Sequence, residues 1–122
     1  MSKFTKIISS GSYLPEKILT NRELEGIVDT TDKWITERTG IKERRVSSDD
    51  ETSVDMAYQA SIDAINKSGL KKDEIGAIFL ATCTPERKFP STAVLLQNRL
   101  NIKNAFSVDL NAACTGFVYA LD

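Results

Sequence analysis

Apolar residues at helical spacing mark one long helix in the middle of the chain. From Ser53 to Ser68 they recur three or four positions apart on one face, and Gly69 is a typical helix stop. The residues of that face are Val54, Tyr58, Ile62 and Ile65. Three alanines, Ala57, Ala60 and Ala64, lie between them and would let a neighbouring segment approach the helix closely.

Shorter helices are predicted by capping residues followed by apolar spacing. They begin at Asn21, at Thr30 or Thr31, and at Pro90 or Ser91. The second of them runs to Thr39, and Gly40 is suited to end it. A last helix-like stretch follows Cys114 and reaches the final residue, Asp122, without a cap or a stop. We therefore expect the chain to end inside an element, as a truncated polypeptide would.

Strands are predicted in the segments between these helices. Two nearly continuous apolar runs, Ile75–Cys83 and Ala105–Leu110, are typical of strands that are buried on both faces. Residues 4–10 and 43–46 are expected to form two further short strands. Because strands alternate with helices, the pattern predicts an α/β fold with a mixed, mostly parallel sheet.

Composition narrows the class of protein. The chain has 122 residues, of which 41% are hydrophobic and 27% charged, and its formal net charge is −1. A nearly neutral chain gives no electrostatic reason to expect nucleic acid or an anionic membrane as a partner. No apolar run approaches the roughly 20 residues of a membrane span, and the N-terminus lacks a signal-peptide core. A cytoplasmic protein is expected.

Cys114 is the first candidate for chemistry. It lies between a predicted buried strand and a predicted helix, with small neighbours that permit a sharp turn. A helix N-terminus favours a thiolate, which is the nucleophilic form of cysteine. An inert, buried thiol is the alternative, and the local pattern alone favours it. Cys83, at the end of an apolar run, is expected in or near the core. Two cysteines so far apart in sequence predict no metal site.

A possible binding pair lies on the second predicted helix. Trp34 and Arg38 are four residues apart and share a face, so their flat groups could enclose a third flat group such as a nucleobase. The alternative is an ordinary stack that shields the helix surface. The basic residues Lys42, Arg44 and Arg45 are similarly open to two interpretations, a solvated face or a phosphate contact. Phe89 is either an exposed anchor or packs under its own loop.

Several motifs together resemble β-ketoacyl-acyl carrier protein synthase III. They are Gly11-Ser-Tyr-Leu-Pro15, the run Asp29–Arg45 with Trp34-Ile-Thr-Glu-Arg38 inside it, Phe89-Pro-Ser91, and Asn111-Ala-Ala-Cys-Thr-Gly-Phe-Val-Tyr-Ala-Leu121. The likeness extends over essentially the whole chain and keeps the order of the family. It reverses the local preference for an inert Cys114 and for an ordinary Trp34–Arg38 stack.

The resemblance implies a thiolase-like fold, whose complete form has five layers of helix, sheet, helix, sheet and helix. Residues 1–122 would be its amino-terminal half, truncated in the helix after the nucleophile, with the second half absent. The family forms homodimers and condenses an acyl-coenzyme A, often acetyl-CoA, with malonyl-acyl carrier protein. Coenzyme A thioester is a substrate there, and no tightly bound cofactor is expected.

Individual residues match family positions. Cys114 corresponds to the cysteine that accepts the acyl group as a thioester. Trp34 and Arg38 correspond to the pair that stacks on the adenine of coenzyme A, and Thr30 to a neighbouring adenine contact. Phe89 corresponds to a loop residue that reaches the acyl pocket of the partner subunit.

One departure from the family is large. Its catalytic histidine and asparagine would lie beyond Asp122, and this sequence contains no histidine. The second donor of the oxyanion hole would also lie there. The alternative is therefore a non-catalytic fragment, or a binding and dimerisation module.

Overall fold

The computed structural model describes residues 4–122, which form two compact units. The inserted unit comprises Leu14–Glu51. The main unit comprises Thr52–Asp122 together with the described residues up to Tyr13. Each unit is built from its own secondary structure.

The inserted unit holds two strands and two helices. In chain order they are β1 (Lys17–Thr20), α1 (Asn21–Glu25), α2 (Asp32–Thr39) and β2 (Glu43–Val46). The strands β1 and β2 pair antiparallel, with Lys17 opposite Val46 and Thr20 opposite Glu43. The predicted strand over residues 43–46 is thus confirmed.

Local capping explains the ends of α2. The Thr31 hydroxyl accepts a hydrogen bond from the Trp34 N–H at 3.1 Å, so Thr31 is the N-cap. Gly40 follows the helix with φ 72°, a left-handed conformation that glycine adopts without strain. Both boundaries agree with the sequence prediction.

The prediction that Asn21 caps α1 was wrong. Thr20 is the N-cap, because its side chain accepts from the Glu23 N–H while the Glu23 carboxylate accepts from the Thr20 N–H at 2.7 Å. This reciprocal arrangement is a capping box, which satisfies the first turn of the helix. Asn21 is consequently the first helical residue, and its side chain is buried.

The main unit contains the parallel part of the fold. Its elements are α3 (Ser53–Ser68), β3 (Ala77–Ala81), α4 (Thr92–Leu100), β4 (Phe106–Leu110) and α5 (Gly116–Leu121), with short 3-10 turns at Lys72–Glu74 and Ala113–Thr115. Strands β3 and β4 pair in parallel, with Ala77 opposite Phe106 and Ala81 opposite Leu110. Because α4 connects two parallel strands, this segment is a β-α-β unit, and the predicted α/β class is confirmed.

The core of the main unit lies between the sheet and the helices α3 and α4. Its buried centre is formed by Leu96, Leu100 and Ile102. The residues packed around that centre are Ala57, Tyr58, Ile62, Ile65, Ile75, Ile78, Leu80 and Ala105. The predicted apolar face of α3 therefore points into this core.

The opposite face of the sheet is only partly covered, which corrects the expectation of strands buried on both faces. Exposure alternates along β3, where Ala77, Phe79 and Ala81 are exposed and the intervening residues are half-buried. Phe79 is 49% exposed and packs edge-on against Phe106, with ring centroids 6.1 Å apart. We call this side of β3 and β4 the open face.

The amino-terminal segment is irregular, so the strand predicted over residues 4–10 was wrong. Its described residues contact the second half of α3 instead, where the Ser9 hydroxyl donates to the Ala64 carbonyl at 2.8 Å. A Cβ at Gly11 would overlap the Ala60 carbonyl and the Ala64 amide. The alanines of α3 thus permit the close approach that the sequence predicted.

Candidate functional site

Cys114 lies on the 3-10 turn Ala113–Thr115, between β4 and α5. Its side chain is exposed, which argues against the alternative of an inert, buried thiol. Ala113, immediately before it, has φ 45°, a left-handed conformation that is unusual for a residue with a Cβ. The turn therefore holds the thiol at the surface by a sharp change of chain direction, similar to the turn on which hydrolases present a nucleophile.

A glycine fixes the helix that follows this turn. Gly116 is buried, and a Cβ there would lie 2.9 Å from the Ala81 Cβ at the end of β3. The first residue of α5 therefore rests directly on the carboxyl end of the sheet. This contact determines where the turn and its thiol lie relative to β3.

The helix after Cys114 begins later than the sequence suggested. The Thr115 N–H donates to the Ala112 carbonyl at 3.1 Å, and the Gly116 N–H donates to the Ala113 carbonyl. These two N–H groups are engaged within the turn. Among the side-chain hydrogen bonds of residues 4–122, none involves the Cys114 thiol.

Cys83 and Phe89 belong to the loop after β3. Cys83 is exposed, so its expected place in or near the core was wrong. The strand ends at Ala81, two residues earlier than the apolar run, and this leaves Cys83 in the loop. Phe89 is 88% exposed, ahead of a cis bond to Pro90, and it therefore does not pack under its own loop.

The inserted unit brings Trp34 and Arg38 together on α2. The Arg38 guanidinium carbon lies 5.0 Å from the centre of the Trp34 ring, within the range of a cation–π contact. The ring remains 53% exposed. A third flat group cannot lie between two groups so close, so a nucleobase would have to displace the guanidinium or stack on the free part of the ring.

A small pocket lies beside the tryptophan. It has a volume of about 260 Å³ and is lined by Asp29, Thr30, Thr31 and Trp34. This volume is smaller than that of the pockets that enclose whole drug-sized ligands. Thr30 therefore lies next to Trp34, as a common binding site requires. Asp29, which no sequence pattern indicated as a site residue, adds a carboxylate to the pocket.

Two residues of the basic cluster make hydrogen bonds within the inserted unit, and the third is exposed. Arg44 is half-buried and donates to the Asn21 side-chain oxygen at 2.7 Å, and Arg45 donates to the Pro15 carbonyl at 3.1 Å. Two of the three predicted cations thus support the inserted unit itself. Lys42 is exposed.

The site residues fall into two groups. Thr30, Trp34 and Arg38 lie in the inserted unit, whereas Cys114 and Phe89 lie in the main unit. Within residues 4–122, no group of three or more His, Cys, Asp or Glu side chains is arranged to hold a metal ion. No helix in the same part of the chain is long and apolar enough to cross a membrane.

Comparison with curated proteins finds close relatives of one kind. The chain is 53% identical over 118 residues to β-ketoacyl-acyl carrier protein synthase III of Aquifex aeolicus, a match that covers 97% of this chain and 38% of that protein. The corresponding protein of Xanthomonas oryzae pv. oryzae is 52% identical over 123 residues, with 99% and 38% covered. The chain thus spans about 38% of the length of these relatives. No protein-family model matches it.

Solved structures give the same result. The crystal structure of 3-oxoacyl-acyl carrier protein synthase III from Aquifex aeolicus superimposes with a TM-score of 0.91 at 53% identity, over 98% of this chain and 38% of that one. The priming β-ketosynthase of the R1128 polyketide pathway gives a TM-score of 0.89 at 36% identity, over 95% and 35%. The resemblance and the thiolase-like fold predicted from the sequence are confirmed.

Proposed function

We propose, from the shared sequence and fold of this chain and β-ketoacyl-acyl carrier protein synthase III, that it is the amino-terminal part of an initiating condensing enzyme of fatty-acid synthesis. The complete enzyme would join an acyl group from acyl-coenzyme A, typically acetyl-CoA, to malonyl-acyl carrier protein. It would act as a cytoplasmic homodimer. The observation that carries the proposal is the exposed Cys114 thiol on the turn between β4 and α5.

The first half-reaction assigns a role to Cys114. Its sulfur, as the thiolate, attacks the thioester carbonyl of acyl-CoA. A bond forms between the cysteine sulfur and the acyl carbon, and the bond between that carbon and the sulfur of coenzyme A breaks. Coenzyme A leaves as a thiolate and takes up the proton that the cysteine lost. An exposed thiol satisfies the first requirement, which is access for a large substrate.

The remaining site residues would bind substrate. Trp34 and Arg38 would hold the adenine of coenzyme A by stacking, and Thr30 would contact it from the adjoining pocket. Phe89 would enter the acyl pocket of a partner subunit. Its 88% exposure supports this role, because an anchor must be free to enter a second chain.

The experiment for Cys114 uses the second cysteine as a matched control. Incubation of the complete enzyme with acetyl-CoA, followed by peptide mass spectrometry, should find an acetyl group on Cys114. Cys114→Ala should abolish the label, whereas Cys83→Ala should leave it unchanged, because both thiols are exposed and only one lies on the turn. Absence of label from the unsubstituted protein, or label on Cys83 alone, would refute the assignment.

The sequence also supports a second candidate, a non-catalytic fragment or a binding and dimerisation module. Family members complete the condensation with a histidine and an asparagine, and these 122 residues contain no histidine. We expect the chain by itself to form no acetoacetyl-acyl carrier protein, since residues that act as one catalytic unit lose most of the rate together. Product formation by the purified chain would exclude this candidate.

A further inference from the structure

Asn21 is an unusually buried polar side chain in the inserted unit. It is 1% exposed, although its position at the start of a short helix would suit a solvated residue. A buried amide normally persists only when its donors and acceptor are paired. All of them are paired here, and the partners lie on three different segments.

The side-chain nitrogen of Asn21 contacts α2 and the segment that follows it. It donates to an Asp32 carboxylate oxygen at 2.8 Å, and the Thr36 hydroxyl lies 3.4 Å away. It also donates to the Ile41 carbonyl at 2.7 Å, immediately after the glycine that ends the helix. A single side-chain amide therefore contacts Asp32 at the start of α2, Thr36 in its middle, and Ile41 in the segment after the helix.

The side-chain oxygen and the backbone N–H of Asn21 connect α1 to β2 and to the residue just before that strand. The side-chain oxygen accepts from the Arg44 guanidinium at 2.7 Å on β2. The Asn21 N–H donates to the Lys42 carbonyl at 3.1 Å. A network of this kind fixes a unique arrangement when every member is paired.

We propose that Asn21 is a positioning residue for the adenine-binding side chains of α2. The inference rests on the proposed function, because Trp34 and Arg38 lie on this helix and their separation depends on its placement. Loss of the side-chain nitrogen would remove the donor to the Ile41 carbonyl and would leave the Asp32 carboxylate oxygen with only the longer bond from the Thr36 hydroxyl, at 3.3 Å. The helix would then loosen against β2, and the Trp34 ring would lose its fixed orientation beside the pocket.

Tryptophan fluorescence provides the direct test, because Trp34 is the only tryptophan in the sequence. Titration with coenzyme A should quench the emission of the unsubstituted chain as adenine stacks on the ring. Asn21→Asp retains the acceptor for Arg44 but replaces the donor by a carboxylate oxygen that Asp32 and the Ile41 carbonyl would repel, and Asn21→Ala removes both the donor and the acceptor. We expect each to raise the Kd about tenfold, the effect typical of losing a support behind a binding group.

The matched control is Thr20→Ala, which destabilises the same unit without touching α2. The hydrogen bonds of the Thr20 side chain all involve Glu23. This variant should lower the thermal stability and leave the Kd within about twofold of the unsubstituted value, an ordinary cap effect. An equal rise of the Kd in Thr20→Ala and in the Asn21 variants would overturn the inference, because general destabilisation would then explain both.

A ligand-free measurement separates this inference from the proposed function. Hydrogen exchange at the α2 amides, such as the Ile35 and Gly40 N–H groups, should accelerate in Asn21→Ala and not in Thr20→Ala. Unchanged exchange at these amides, or a normal Kd in Asn21→Ala, would overturn the inference alone. Failure of the unsubstituted chain to bind coenzyme A would instead overturn the proposed adenine site and the ligand part of the inference with it.

Discussion

Gly116 has no Cβ, and this allows the helix that follows Cys114 to pack closely on the end of β3. Gly116 is buried against Ala81, so α5 begins in contact with the end of β3. The sequence shows a glycine two residues after Cys114, but only the structure shows what it touches. Close packing at this point leaves no room for even the smallest side chain.

Gly116→Ala should therefore destabilise the main unit. The added Cβ would meet the Ala81 Cβ at 2.9 Å, and overpacking of this kind costs about 1–3 kcal/mol in the free energy of unfolding. Gly76→Ala is the matched control, because no atom lies within 4 Å of a Cβ built there. Urea unfolding of both variants checks the expectation. Equal stability of the two would show that the main unit adjusts to the added methyl group.

Some site residues could be predicted from the chain because their geometry is local. Trp34 and Arg38 are four positions apart on one helix, so their contact follows from helical spacing alone. Asn21 was missed as a site residue for the opposite reason. Its significance depends on contacts with segments that are distant in sequence, as in the 23 positions between Asn21 and Arg44. Asp29 is adjacent to Thr30 in sequence, and it was missed because the pocket that both residues line is seen only in the structure.

At the scale of elements, caps explain why the helix boundaries were predictable. Thr31, Gly40, Gly69 and Ser91 act on their own helices through hydrogen bonds or dihedral angles within a few residues. A strand forms only by pairing with another strand, which is often distant in sequence. The strands were therefore predicted less accurately than the helices. Residues 4–10 have the composition of a strand, but they lie along α3 without a strand partner.

The cap of α3 makes stability depend on pH. Hydrogen bonds from the Thr52 hydroxyl, the Arg99 guanidinium and the Thr52 N–H lower the pKa of Asp55 from its ordinary value of 3.8 to about 2. The ionised carboxylate is therefore favoured by folding. Its stabilising contribution is present above about pH 4 and is lost as the pH falls toward 2.

As the pH falls and Asp55 is protonated, we expect the free energy of unfolding to decrease by about 1 kcal/mol. This is less than the ideal linkage value, because the Asp55 side chain is 32% exposed. Unfolding in urea between pH 5 and 2 would measure it in the unsubstituted chain and in Asp55→Asn. The variant should lack this part of the pH dependence. Parallel curves for the two proteins would mean that other carboxylates cause the acid sensitivity.

At the scale of the whole molecule, the main unit exposes several large apolar side chains. Phe79 and Phe106 lie on the open face, and Phe117, Val118 and Tyr119 are exposed on α5. A helix that is apolar on nearly every side is typical of a buried layer. Patches of this kind mark surfaces that other protein normally covers.

We therefore expect the chain to associate in solution. Light scattering should show an average mass that rises with protein concentration. The combined substitutions Phe106→Ser and Phe117→Ser should reduce it, because they remove aromatic area from the open face and from α5. Val94→Ser, at an exposed position of α4, is the control and should have little effect. A monomer at every concentration would contradict the expectation.

The contact between the amino-terminal segment and α3 has a consequence for synthesis on the ribosome. Ser9 bonds to Ala64, which follows it by 55 positions. At about 5–20 residues per second, the partner of Ser9 is made roughly 3–11 seconds later. During that interval the whole of the inserted unit, Leu14–Glu51, is translated. The first residues of the main unit can therefore bind α3 only after every residue of the inserted unit has been synthesised.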